Sequence, residues 1–331
     1  PANVKGLGRL NIDKVIHGYR GFGAVNEQKL NESGDCNVDV QCDPNTGNGG
    51  GMDWTTIRDN NIHASARIII NGSGLCSGTL LNNVRQDKTP YFLTAHHCLG
   101  VGNNDGVSGS FNGSGWSFGF QWYTNTPDCA TVANTSGPAN PTNIISGATL
   151  RANKFGSDVA LFELNQAIPT GWNLYYAGWD NTNTAPTSQL GLHHPSGDIM
   201  KLARNDQTAT NQNVNIGGQV ADCWVVADWD YGVTEGGSSG SPIFDNNGRI
   251  VGQLSGGSSF CSNPTATDVY GKMYVNWDQC GTATQAQLAP FLDPGGTGVT
   301  VLDGTYQPCT PVAPTCAASA SQTTVTAGGT V

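Results

Sequence analysis

Apolar residues along this chain come in short runs, each closed off by a cluster of Gly, Asn, Thr, Ser or Pro, and no long stretch repeats at a helical period. Runs of β-branched and aromatic residues bounded by turn formers predict strands over 66–71, 78–82, 91–95, 117–123, 146–152, 159–164, 250–254 and 272–275. Turn clusters at 102–109 and 245–248 fall between them. The 45 Gly and 16 Pro work against long helices. One short helix is expected over 285–292, ending before Pro294. Many short strands at close spacing predict an all-β fold, a sandwich or a barrel.

Texture divides the chain into three parts. Residues 1–31 read as an N-terminal extension or pro-segment remnant, with a terminal strand of the main domain as the alternative, since 10–17 has strand character and 18–29 is loop-like. Residues 32–307 form the main domain. Residues 308–331 open with a Pro/Thr spacer and end in a run, Thr323 to Val331, that reads as the first strand of a truncated accessory β-sandwich module.

Composition narrows the partners and the compartment. Of the 331 residues 37% are hydrophobic, enough for a core, and only 12% are charged. A net charge of −10 argues against nucleic acid and against anionic membranes, both of which select basic patches. No run approaches the roughly 18 apolar residues of a membrane span, and no signal peptide is evident, so a secreted protein would be represented here in processed form. The ten cysteines lack C-x-x-C spacing; an even number in a Lys-poor chain predicts disulfides and an oxidising, extracellular setting. No cofactor or metal is called for: His193-His194-Pro195 lacks a third ligand at metal-site spacing and reads as a hydrogen-bonded loop.

Three segments carry chemistry in a fixed order: Thr94-Ala95-His96-His97-Cys98, then Ser157-Asp158-Val159-Ala160-Leu161, then Gly237-Ser238-Ser239-Gly240-Ser241-Pro242. A serine hydroxyl becomes a nucleophile when an imidazole takes its proton, and the imidazole needs a carboxylate to hold its tautomer and stabilise its cation. Asp158 is preferred over Asp128, Asp180 and Asp228 because it opens an apolar run, which lets a buried strand begin with an acid. Ser239 is preferred over Ser238 and Ser241 because it directly precedes a glycine in a turn whose N–H groups converge. The backbone N–H groups of Gly237 and Ser239 would form an oxyanion hole, where one donor is worth about 2.7–4 kcal/mol of barrier.

This order of histidine, aspartate and serine resembles that of the chymotrypsin-like serine proteases, and further pieces resemble the bacterial secreted lysyl endopeptidases among them. Those pieces include 34–42, 91–98, Ala177-Gly178-Trp179-Asp180, His193-His194-Pro195, Gly232-Val233-Thr234-Glu235, 251–254 and Thr267-Asp268-Val269-Tyr270-Gly271. The resemblance covers roughly 33–304 and implies a double β-barrel with His97, Asp158 and Ser239 as triad and His96 as a structural neighbour. It also implies disulfides Cys36–Cys261, Cys42–Cys129 and Cys76–Cys98, leaving Cys309 with Cys316 and, by elimination, Cys223 with Cys280. Trypsin places its pocket acid six residues before the nucleophile, where this chain has Val233; the lysyl endopeptidases place it at the position of Asp268. The backbone of Ser255, Gly256 and Gly257 would receive the substrate as an added strand.

One departure stands out. The lysine-specific enzymes carry a histidine where this chain has Ser255, paired with a tryptophan that has no aromatic counterpart in 211–218. The expected function is a secreted, monomeric serine endopeptidase that cleaves polypeptides after lysine and frees its own residues 1–29 at Lys29-Leu30. The alternatives are a trypsin-like enzyme accepting Lys and Arg, or an inactive protease fold serving as a binding module, with Asp268 then only capping its loop.

Overall fold

A computed structural model describes residues 32–106, 111–127, 129 and 140–306. The predicted N-terminal extension, the C-terminal spacer, Asp128 and the Cys309–Cys316 pairing lie outside the described residues. The fold is all-β, built on two antiparallel sheets. The first comprises β1 (Ser65–Ile70), β2 (Gly74–Leu81), β3 (Tyr91–Ala95), β4 (Trp116–Phe120), β5 (Asn143–Ser146), β6 (Ala148–Lys154) and β7 (Val159–Leu164). Its spatial order is β5-β4-β1-β2-β3-β7-β6. The second comprises β8 (Gln189–His193), β9 (Lys201–Asn205), β10 (Thr210–Ile216), β11 (Gln219–Val226), β12 (Pro242–Phe244), β13 (Ile250–Gly257) and β14 (Asp268–Lys272). These run β9-β8-β12-β13-β14-β11-β10, with Val38–Asp39 added outside β9.

The strands at the seam bury both faces, which is why they read as continuous apolar runs. On β3 and β7, Phe92 and Phe162 join Ile68, Leu80 and Phe118 inside the first sheet. Their neighbours Leu93 and Leu161 turn the other way, onto Leu190, Leu192, Leu202 and Phe244 of the second. Successive residues of a strand face opposite sides, so one short run serves two cores. A third cluster, with Trp224, Val233, Ile243, Leu254 and Tyr270, fills the second sheet's other side.

Several boundaries differ from the sequence reading. The run 146–152 divides into β5 and β6 at Gly147, whose φ is +81°. The strand expected over 272–275 lies earlier, as β14, and the chain then coils into a short π-helical turn at Val275–Gln279. Asp268, expected in a loop, instead starts that strand, where three side-chain donors meet its Oδ2. The expected helix 285–292 is reduced to a 3-10 turn at Thr284–Ala286 and α-helix Ala289–Leu292. Pro290 in the first turn of that helix has no N–H with which to continue an earlier one. Strands β8 to β12 escaped the sequence reading; β8, β9 and β12 are short and β10 is polar, while β11 carries an apolar run, Cys223 to Val226, that the reading passed over, and the Gly217-Gly218 dipeptide between Ile216 and Gln219 was the available hairpin signal.

Disulfides join Cys36–Cys261, Cys42–Cys129 and Cys76–Cys98. Cys223 and Cys280 are not paired with each other: both are free thiols. Elimination assumed that every cysteine is oxidised, whereas the Cys280 thiol donates to the Val275 carbonyl of its own turn, 3.1 Å away. Burial pushes the Cys223 thiol up to about 12 and raises that of Cys280 as well, so both stay protonated. A buried thiol of this kind packs as a small apolar group. No described helix is long and apolar enough to cross a membrane.

Candidate active site

Strand register brings histidine and aspartate together. β3 and β7 run antiparallel with Ala95 opposite Val159, so the residues just after one strand meet those just before the other. His96 N–H donates to the Asp158 carbonyl at 2.9 Å. His97 N–H donates to Asp158 Oδ1, and His97 Nδ1 lies 2.8 Å from Oδ2. Asp158 holds a positive φ of +55°, a strained setting for a non-glycine residue. Gln253 supports that conformation, its Nε2 donating to the carbonyls of Ser157 and Asp158 at 3.0 and 3.3 Å. The carboxylate is buried, while 43% of the His97 side chain is open to solvent. Burial opposes charge on the His97 ring, but the hydrogen bond and the negative charge of Asp158 outweigh it and raise its pKa above 6.5.

His96 points elsewhere. Its Nε2 meets the Gly102 carbonyl at 2.8 Å and its Nδ1 the Asn153 amide at 3.0 Å. The competing acids are also occupied away from His97: Asp180 accepts from Thr182 N–H, and Asp228 from the Asn205 amide.

The serine turn is pressed against the end of β3. A Cβ on Gly240 would lie 2.1 Å from Thr94 Oγ1 and 2.6 Å from Ala95 N, so only glycine allows this approach. Ser77, beside Cys76 on β2, ties the turn down from below: its N–H donates to the Ser239 carbonyl at 2.8 Å and its hydroxyl to the Gly237 carbonyl at 2.9 Å. Ser238 and Ser241 are buried, whereas Ser239 is partly open. Ser238 Oγ lies 2.7 Å from His193 Nδ1 and accepts the Glu235 N–H at 3.1 Å, which makes it part of the turn's support. The Ser238 and Gly240 N–H groups are taken by the Glu235 and Leu254 carbonyls. Gly237 N–H and Ser239 N–H have no such partner among the described residues. Gly237 has φ +93°, which turns its amide out of the run of its neighbours.

Ser255 completes the aspartate's surroundings. A bulge between Leu254 and Gly256, set against Tyr270 and Val269 of β14, leaves Ser255 as the extra residue. Its hydroxyl then reaches Asp158 Oδ2 at 2.7 Å. One oxygen therefore meets both His97 Nδ1 and Ser255 Oγ.

Asp268 lies apart from these groups, at the start of β14, and is fully buried. Its Oδ2 accepts from Trp229 Nε1 at 2.7 Å, Thr234 Oγ1 at 2.7 Å and Ser259 Oγ at 2.6 Å. Among the described residues its Oδ1 takes only a long contact of 3.4 Å from Ser259 N–H, and it lies 1.8 Å from where a Cβ on Gly257 would sit. The free side of the carboxylate thus faces the bare backbone of Gly257. Val233 is buried in the apolar cluster and supplies no charge. Sequence reasoning missed Ser77, Gln253, Trp229, Thr234 and Ser259. Thr234 and Gln253 lie in segments that carry the family resemblance, but their roles, like those of the other three, arise from contacts between segments far apart in the chain and have no local signal.

His193 and His194 are buried, and both pKa values fall to about 3, first because of burial. Each ring is held through Nδ1, on Ser238 Oγ and on the Asp198 carbonyl respectively, and the His194 ring stacks on Trp122. Their Nε2 atoms are buried without a partner among the described residues.

Two antiparallel sheets with a histidine and an aspartate at their seam, and a glycine-bounded serine turn packed against them, make up the architecture of chymotrypsin-like serine proteases. The family model for the lysyl endopeptidase C-terminal domain matches residues 30–271, and the chain belongs to that family. A lysyl endopeptidase of Pseudomonas aeruginosa is 33% identical over 287 residues, covering 80% of this chain and 55% of that protein. The chain therefore spans about half the length of that relative. Among solved structures, the protease Anisep from Arthrobacter nicotinovorans matches 69% of this chain and 95% of its own at 19% identity, with a TM-score of 0.45. The active form of the Rv3671c protease from M. tuberculosis matches 78% and 89% at 14% identity, with a TM-score of 0.42.

Proposed function

We propose that this protein is a secreted serine endopeptidase that acts as a monomer and cleaves polypeptides on the carboxyl side of lysine. Ser239 Oγ attacks the peptide carbonyl while His97 takes its proton. Asp158 holds the ring by Nδ1 and stabilises the imidazolium that forms. The developing oxyanion is met by the Gly237 and Ser239 N–H groups. Collapse expels the amine, which takes the proton from His97 and leaves an acyl-enzyme on Ser239. Water, activated by His97 in turn, releases the acid and restores the serine.

The single observation that carries the lysine reading is the environment of Asp268. It is a fully buried carboxylate, one oxygen of which is saturated by Trp229, Thr234 and Ser259 while the other faces Gly257. A buried anion with one oxygen free is matched by a cation that enters from outside, and an ammonium is a point donor suited to a single oxygen. Secretion is supported by the three disulfides, which persist in oxidising compartments. The test is kcat/KM on matched fluorogenic peptides with Lys, Arg, Glu, Leu or Ala at the cleaved position (P1), with Ser239→Ala as control. Turnover dominated by Lys, with only slow cleavage after the other residues, and lost in the control supports the reading. Equal Lys and Arg turnover replaces it with trypsin-like breadth, and no turnover on any peptide favours a binding module.

A further inference from the structure

His96 stands next to the proposed base, yet its own ring is enclosed, with the residue 1% exposed, and is bonded at both nitrogens. Its partners fix where the ring proton lies. The Gly102 carbonyl can only accept, so Nε2, 2.8 Å away, carries the hydrogen; the Asn153 amide nitrogen can only donate, so Nδ1, 3.0 Å away, is bare. Asn153 is held in that orientation because the same nitrogen donates to the Asn104 carbonyl at 2.8 Å, where an amide oxygen would face another oxygen. His97 has the reverse arrangement. The ionised Asp158 carboxylate can only accept, so His97 Nδ1 carries the hydrogen and Nε2 is left bare. Two adjacent histidines thus hold opposite tautomers.

The enclosed ring belongs to a circuit of contacts that returns to Asp158. Its bond to Gly102, and the bond from Asn153 to Asn104, hold the loop that follows the histidine turn; Gly106 N–H donates back to the Asn153 carbonyl at 3.2 Å. Asp105 in that loop accepts Phe155 N–H at 2.6 Å and the Lys154 ammonium at 2.5 Å. The Phe155 ring meets the His96 ring edge-on, centroids 5.5 Å apart, and the Phe155 carbonyl accepts the Asp158 N–H at 3.0 Å. The His96 N–H then donates to the Asp158 carbonyl and closes the circuit. The positive φ of Asp158 is therefore held from two sides, by Gln253 and by this circuit. Among the described residues the charged groups along the circuit are Asp105, Lys154 and Asp158, and the first two are paired with each other.

We propose that His96 is a positioning residue for catalysis: as the Nε2–H tautomer it clamps Asn153 and the loop 102–105 so that Asp158 meets His97 in the geometry that proton transfer requires. The inference rests on the reading of His97, Asp158 and Ser239 as a triad. His96 acts only through Asp158 and His97, so its loss should lower kcat and kcat/KM together and leave KM unchanged.

The experiment joins kinetics on a Lys reporter peptide with imidazole 15N NMR. In the native protein the spectra should place the His96 proton on Nε2 and the His97 proton on Nδ1. His96→Phe keeps a ring but neither bond. It should lower kcat about tenfold, as a small misplacement of reacting groups does, and move the His97 midpoint down toward 6.5, because a loosened Asp158 raises it less. His96→Gln, with one donor and one acceptor, should recover part of both losses. Asp105→Ala breaks the circuit where the side chain is 31% exposed and should shift both readings the same way, so it decides if His96→Phe does not fold. Arg151→Ala lies on the same strand but outside the circuit, paired with Glu163, and should change neither. A His96 proton on Nδ1, or native kcat and midpoint in folded His96→Phe and Asp105→Ala, overturns the proposal. A loss confined to KM, or an equal change in Arg151→Ala, also overturns it. Turnover surviving in Ser239→Ala, with the His97 midpoint still dependent on His96, overturns the triad reading alone. Were no peptide cleaved, the His97 midpoint followed by NMR in the same variants decides, since an unchanged midpoint overturns the proposal.

Discussion

Replacing Asp268 by asparagine removes a charge at nearly constant shape. In the native protein three donors converge on Oδ2 at 2.6–2.7 Å, and an asparagine with its carbonyl at that position keeps all three. Its amide nitrogen then occupies the place of Oδ1, against Gly257, and turns an acceptor into a donor where the proposed lysine ammonium would arrive. Losing the partner of a buried charge costs about 3–5 kcal/mol, so kcat/KM for Lys peptides should fall by at least about 10²-fold. Peptides with Leu at P1 should lose nothing, since Asp268 touches none of the residues around His97. The free enzyme should melt within a few degrees of the native protein: weaker bonds to Oδ2 oppose relief from a buried charge with only one oxygen well satisfied. The assay pairs kcat/KM on Lys and Leu peptides with a thermal melt. Unchanged Lys turnover would show that Asp268 only caps its loop. A parallel fall for Lys and Leu would place the damage in the catalytic groups instead.

Three further outcomes are expected. In the proposed mechanism His97 acts as base only when neutral, and its pKa is raised, so kcat/KM should rise with pH through a midpoint above 6.5; a midpoint at or below 6.5 would contradict the pairing with Asp158. Ser255→Ala removes a 2.7 Å donor from Asp158, which should make the carboxylate a stronger partner for the imidazolium, move that midpoint further up and lower kcat/KM by about tenfold; a profile identical to the native one would refute the role of this hydroxyl. Removing the Cys76–Cys98 bridge with a double alanine variant opens a link across 22 residues and should cost about 3 kcal/mol in urea unfolding, with a loss under 1 kcal/mol counting against the estimate.

The sequence by itself determined the all-β class, because short apolar runs between Gly, Asn and Pro clusters leave no helical alternative. It also located β3 and β7 to the residue, since strands buried on both faces are apolar throughout and do not depend on phase. His97, Asp158 and Ser239 stood out because their local contexts are distinctive: a histidine beside a half-cystine, an acid opening an apolar run, a serine directly before a glycine in a Gly/Ser turn. Polar β10 did not stand out, because its pairing with β11 comes from backbone hydrogen bonds and a Gly-Gly turn that any side chains can accompany. Elimination failed for Cys223 and Cys280, because counting cysteines says nothing of where a thiol finds a hydrogen-bond acceptor. Only the tertiary structure decided that Ser255 meets Asp158 across 97 positions, that Ser77 holds the serine turn across 160, and that Trp229, Thr234 and Ser259 saturate one oxygen of Asp268. The Ser77 and Ser255 contacts depend on strand register and on a single bulge, where a shift of one residue would turn the side chain to the opposite face, while Trp229, Thr234 and Ser259 reach Asp268 from loops that no periodicity marks.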